Sequence, residues 1–126
     1  MVQDKAYATI ENCNIFTNTH VGIAADGQDT KASINGCEIR DGKYYGVWVQ
    51  DKACATIENC EISKNKSYGV GVANDKTNLV IRNCKIYGGK DCGVVVLDKA
   101  RPVIENCDIY GNKSAGINVE GEKTKP

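Results

Sequence analysis

The residues with the widest chemistry in this chain are its seven cysteines and single histidine. Cys13, Cys37, Cys60, Cys84 and Cys107 follow one another at intervals of 24, 23, 24 and 23 residues. A thiolate can attack as a nucleophile or bind a soft metal. No Cys-x-x-Cys occurs, so the spacing usual for zinc is missing. A disulfide ladder fits poorly too, because equivalent side chains of a repeat point the same way and five is an odd number. His20 is the sole base for a Ser-His or Cys-His couple and has no visible partner. The simpler readings are buried free thiols acting as small hydrophobes and a loop histidine. No catalytic residue, cofactor or metal set is assigned.

Charged residues fall into columns of the same period. Glu58, Arg82 and Glu105 form one column, and Glu61, Lys85 and Asp108 form another. Alternating sign favours this register and penalises a slip. A carboxylate cluster for calcium or for acid–base work on a glycan is the alternative, but Arg82 and Lys85 sit between the acids. Glu38 next to Glu61 is the one like-charge neighbour pair, and these two are the weak cation candidates.

What must position these columns is a repeat. The segments around Ile10, Ile34, Ile57, Ile81 and Ile104 share the spacing of the cysteines, as do Ile15, Ile39, Ile62, Ile86 and Ile109. A further file reads Ile23, Val47, Val70, Val94, Ile117, followed two residues on by Ala25, Val49, Val72, Val96, Val119. Apolar residues alternate with polar ones inside each copy, which predicts short strands and no helix. Three columns hold only Asn or Gly: Asn12, Gly36, Asn59, Asn83, Asn106; Asn18, Gly42, Asn65, Gly89, Asn112; and Gly22, Gly46, Gly69, Gly93, Gly116. They are expected to be sharp bends, with left-handed backbone tolerated by these residue types. Strands of about four residues need stacked neighbours at about 4.8 Å, which makes a solenoid with a thin continuous core. The expected fold is all-β, a parallel solenoid of about five coils of 23–24 residues with three short strands each, forming one domain over residues 1–126.

The I-x-N-x-x-I pattern followed by G-[IV]-x-[VA] resembles the single-stranded right-handed parallel β-helix repeat over residues 2–120. That repeat is seen in pectate lyases and related polysaccharide enzymes, in carbohydrate-binding and sugar-hydrolase type domains, and in the solenoids of some F-box proteins. The resemblance implies an inward cysteine file (Cys13, Cys37, Cys60, Cys84, Cys107). It also implies a side-chain amide ladder in the column of Asn12, Asn59, Asn83 and Asn106, interrupted by Gly36. The enzymes' Asn-Thr-Asp, Asp-Asp, Gly-His-Gly and Arg-Ile-Lys motifs are absent here.

Function is then expected on outward faces. One outward column reads Ala24, Trp48, Gly71, Val95, Asn118, and its only Trp stands beside a Gly that leaves space. Another reads Phe16, Arg40, Ser63, Tyr87, Tyr110. Trp48, Tyr87, Tyr110 and Arg40 are the binding-face candidates, for a protein or a sugar ring. Sixteen basic and sixteen acidic residues leave no surplus for nucleic acid or an anionic membrane. The expected function is a non-catalytic scaffold or assembly module, self-associating end to end or laterally; the alternative is a polysaccharide-binding or polysaccharide-active domain. Cys54 is expected exposed and Cys92 partly buried. Free thiols and the absence of a visible signal peptide favour a cytoplasmic setting. The tail from Gly121 aligns with the loop at 74–79, which suggests a piece of a longer array or an uncapped subunit. Asn65 and Asn112 each begin an N-glycosylation sequon and are read as corner residues instead.

Overall fold

The computed structural model describes residues 1–121. Sixteen short strands form three parallel sheets and there is no helix among the described residues. The first sheet stacks β1 (Val2–Gln3), β4 (Ile23–Asp26), β7 (Val47–Gln50), β10 (Val70–Ala73), β13 (Val94–Leu97) and β16 (Ile117–Glu120). The second stacks β2 (Tyr7–Glu11), β5 (Lys31–Asn35), β8 (Cys54–Glu58), β11 (Asn78–Arg82) and β14 (Val103–Glu105). The third stacks β3 (Asn14–Phe16), β6 (Glu38–Arg40), β9 (Glu61–Ser63), β12 (Lys85–Tyr87) and β15 (Asp108–Tyr110). Each coil therefore runs through the second, third and first sheets in turn. Equivalent residues face each other without a slip: Ile34 pairs with Ile10 and Ile57, and Val70 pairs with Val47 and Val94.

The core is the inside of this column. Ile34, Ile57 and Ile81 of the second sheet, Ile39, Ile62 and Ile86 of the third, and Val47, Val70 and Val94 of the first are all buried. The same positions in the end coils, such as Ile10, Ile15, Ile104 and Ile109, are only half-buried because a strand there has a neighbour on one side.

The bends obey different physics from one column to the next. Asn12, Gly36, Asn59, Asn83 and Asn106 have φ of 52°, 66°, 54°, 53° and 51°, the left-handed region that Asn and Gly tolerate best. The second column does not: positive φ falls one residue earlier, on Thr17, Asp41, Lys64, Gly88 and Gly111. The third column is glycine because the coils approach too closely for a side chain. A Cβ on Gly69 would lie 2.7 Å from the Gly93 carbonyl oxygen and 2.7 Å from Ile86 Cγ2.

A fourth kind of bend explains why the repeat alternates between 24 and 23 residues. Four residues (27–30 and 74–77) join the first sheet to the second in one coil, and three (51–53) do so in the next. The longer bend ends in a buried threonine, Thr30 or Thr77, where the shorter ends in Ala53 or Ala100. Each threonine hydroxyl accepts a main-chain N–H from the preceding coil: Lys5 N to Thr30 Oγ1 at 3.1 Å, and Lys52 N to Thr77 Oγ1 at 2.9 Å. Lys5 and Lys52 have φ of 63° and 70°, so their N–H groups turn inward and need this acceptor. Thr77→Val keeps the shape and removes the acceptor. It is expected to lower unfolding free energy by about 1–2 kcal/mol, measured by urea denaturation, with Ala100→Ser changing stability by less.

Candidate functional site

The outward charges are arranged to satisfy one another. In the second sheet Arg82 reaches Glu58 at 3.4 Å and Glu105 at 3.2 Å, one guanidinium bridging the coils on either side. All three are solvent-accessible, so the pairing sets register more than it adds stability. In the third sheet Lys85 stands in register between Glu61 and Asp108. Glu38 and Glu61 are register partners, as the spacing predicts. Glu61, however, accepts a hydrogen bond from the Tyr87 hydroxyl, and this bond to a carboxylate holds the phenol above its ordinary pKa. Among the described residues no three His, Cys, Asp or Glu side chains converge as a metal site would need. His20 stacks on Tyr44 with ring centres 6.1 Å apart.

The four binding-face candidates divide between two faces. Arg40, Tyr87 and Tyr110 lie on the third sheet. Arg40 covers the Phe16 ring at 4.8 Å and pairs with Asp41 at 2.8 Å, while Tyr87 and Tyr110 stack at 5.0 Å. Trp48 lies on the first sheet and is half-buried. The space beside it is filled by the indole itself: a Cβ on Gly71 would meet Trp48 Cε3 at 2.3 Å. Tyr45 stacks on Trp48 at 4.8 Å and on Tyr68 at 5.2 Å, and Trp48 Nε1 donates to Gln50 Oε1 at 2.8 Å. Burial, with Asp91 nearby, pushes the Tyr68 hydroxyl above its ordinary pKa. The result is a locked three-ring file at the bend between the third and first sheets. Tyr45 and Tyr68 escape a reading of strand faces because they sit in the bend; their place two positions apart from the glycine column's next strand residue is the available signal.

The five cysteines form one file whose burial falls off toward its ends. Cys37, Cys60 and Cys84 are buried, Cys107 is half-buried and Cys13 is exposed. The reason is the one that thins the core at its ends: a missing neighbour on one side. Each thiol donates to carbonyls along the stack. Cys60 Sγ lies 3.1 Å from Glu58 O in its own coil and 3.7 Å from Ile34 O in the preceding one, and Cys37, Cys84 and Cys107 repeat the pattern. Burial pushes the Cys37 thiol up. A hydrogen bond shared by the Cys60 and Cys84 thiols draws Cys60 down to about 7 and pushes Cys84 up. Cys92 is fully rather than partly buried, and Cys54 is half-buried, accepting Asn78 Nδ2 at 3.6 Å.

The asparagine columns exchange the roles expected of them. Asn12, Asn59, Asn83 and Asn106 are exposed, and what they share is their backbone conformation. Asn59 Nδ2 donates to Asn35 Oδ1 at 3.1 Å, a residue of another column. The interior amides are Asn65 and Asn112. Asn65 Oδ1 accepts Gly42 N at 3.0 Å while its Nδ2 donates to Ile39 O at 3.4 Å. Asn112 does the same with Gly89 N and Ile86 O, at 3.0 and 3.2 Å. Both sequon amides are thus held by the main chain of the preceding coil, and Asn65 is buried. A glycan cannot be attached to Asn65 in the folded chain.

Comparison with curated proteins and with solved structures finds no significant match. Comparison with family models does find one, for a right-handed beta helix region, over residues 1–125. The parallel stacking of three sheets and the register of every coil agree with it. The chain belongs to the right-handed beta helix family and is a β-solenoid scaffold.

Proposed function

We propose that this scaffold is non-catalytic and binds a protein surface laterally, through the ring-bearing bend formed by Tyr45, Trp48 and Tyr68. The observation that carries the reading is the three-ring stack. Its rings hold one another in place, so little side-chain freedom is left to lose on binding, and Trp and Tyr are the usual anchors of protein interfaces. Exposed Tyr44, stacked with His20, extends the same bend. The mutual pairing of Glu58, Arg82 and Glu105, and of Glu61 with Tyr87, supports a surface that holds itself fixed and offers no poised acid or base.

A second copy of the chain is the partner on hand for a test, since zero net charge leaves little repulsion between copies. Sedimentation over a concentration series is expected to show reversible association, weakened at least tenfold by Trp48→Ala. A wild-type chain that stays monomeric, or a variant that associates as well as wild type, counts against the lateral face; the latter outcome points to contacts between end coils. Trp48 is the single tryptophan, so its fluorescence also reports on the alternative. A shift on adding polygalacturonate would favour a glycan ligand over a protein one. That reading is weaker because Tyr45 and Gly71 already occupy the Trp48 ring that a sugar would stack on.

A further inference from the structure

We propose that Cys37 and Cys60 form a two-thiolate site for a soft d10 ion of the Cu(I), Ag(I) and Hg(II) class, entered at the bend where Gly36 replaces asparagine. Three observations meet there. First, the sulfurs belong to one vertical file. Cys37 and Cys60 make the same pair of hydrogen bonds, to the carbonyl two residues back and to an isoleucine carbonyl of the preceding coil, so their side chains point alike. Glu61 N donates to Cys37 O at 2.9 Å, which ties the two coils together at this point. Adjacent coils are about 4.8 Å apart, and two metal–sulfur bonds of about 2.3 Å placed end to end span nearly that distance. Soft ions prefer thiolate sulfur, and those of this class accept two ligands in line.

Second, a depression in the surface borders these two buried residues. A depression of about 340 Å³ is lined by Gly36, Cys37, Cys60, Glu38, Glu61 and Lys85. Gly36, the one member of its column without a side chain, lines this depression together with Asn59 and Asn83. Third, the rim carries the charges such a site uses. The Glu38 and Glu61 carboxylates are register partners and raise the local cation concentration. Lys85 offsets negative charge left on the complex. Binding joins the ion to both sulfurs and releases both thiol protons to solvent. The complex is neutral with a divalent ion and carries one negative charge with a monovalent one.

The test is anaerobic titration with Ag(I), followed by the ultraviolet sulfur-to-metal band in stopped flow. With the exposed Cys13 replaced by serine in every chain titrated, the parent is expected to take up one equivalent rapidly and release two protons. Cys37→Ser and Cys60→Ser are each expected to lose that rapid equivalent, and Cys54→Ser to keep it. Serine can take over the thiol hydrogen bonds, and circular dichroism verifies that both variants fold. Gly36→Asn is expected to slow uptake at least tenfold. Asparagine already occupies this conformation at Asn59 and Asn83, and the added Cβ would meet only the movable side-chain oxygen of Asn12, at 2.5 Å. Rapid uptake that survives in Cys37→Ser or Cys60→Ser, or that vanishes in Cys54→Ser, would overturn the proposal. X-ray absorption of the parent complex stands apart from the folding of the other variants: two collinear sulfurs are expected, and three or more ligands would refute it.

Discussion

Asn65→Leu is expected to be among the most damaging single substitutions in this chain, lowering unfolding free energy by about 4 kcal/mol although it keeps the number of side-chain heavy atoms. Asn65 is 2% exposed and makes two hydrogen bonds to the coil before it. Leucine would leave Gly42 N–H and Ile39 C=O in the interior without partners, and each such group costs about 1–3 kcal/mol. The site also has no slack. A Cβ on Gly46 would lie 2.9 Å from Asn65 Nδ2, and one on Gly42 would lie 3.0 Å from its Oδ1. Asn112→Leu removes the same two bonds in a half-buried place, where water can replace them, and is expected to cost less than half as much. Urea denaturation of both variants measures the difference. Equal losses would mean that the amide's partners, and not its burial, set the cost.

Ile62→Ala is expected to cost about 3–4 kcal/mol, against about 1 kcal/mol for Ile15→Ala at the equivalent place in the first coil. Ile62 is fully buried between Ile39 and Ile86, whereas Ile15 has a strand on one side only. The core is one side chain deep, so a cavity at Ile62 cannot be filled by a second layer moving in. Because each coil touches only its neighbours, the loss at Ile62 weakens the coupling between the two halves of the column. Hydrogen exchange should show protection falling on both sides of β9 in Ile62→Ala, and only over the first coil in Ile15→Ala. A uniform fall in both would argue that the solenoid unfolds as a single unit.

Most of the architecture was legible from periodicity. Residues that must stack were already 23 or 24 positions apart, and the observed pairs Ile34–Ile57, Glu58–Arg82 and Glu38–Glu61 are those the spacing predicts. Composition was a poorer guide to why each bend residue is there. Asn or Gly fills every position of all three columns, yet φ explains only the one containing Asn59. Close approach explains the column of Gly69, and hydrogen bonding explains Asn65. A single letter is compatible with all three causes, and only the distance to the next coil tells them apart. The outward face was harder still. Trp48 and Gly71 were neighbours on paper, but which of a ligand or the indole fills the gap depends on the ring's torsions and on Tyr45, which lies in a bend.

The amino-acid order alone determined that this chain stacks: a repeat of alternating β-branched residues has no other way to bury strands so short. Tertiary structure decided which equivalent residues are equivalent in fact. Cys60 is buried and Cys13 is exposed, and Asn65 is buried while Asn112 is half-buried, because burial belongs to the coils above and below a residue and not to the residue itself.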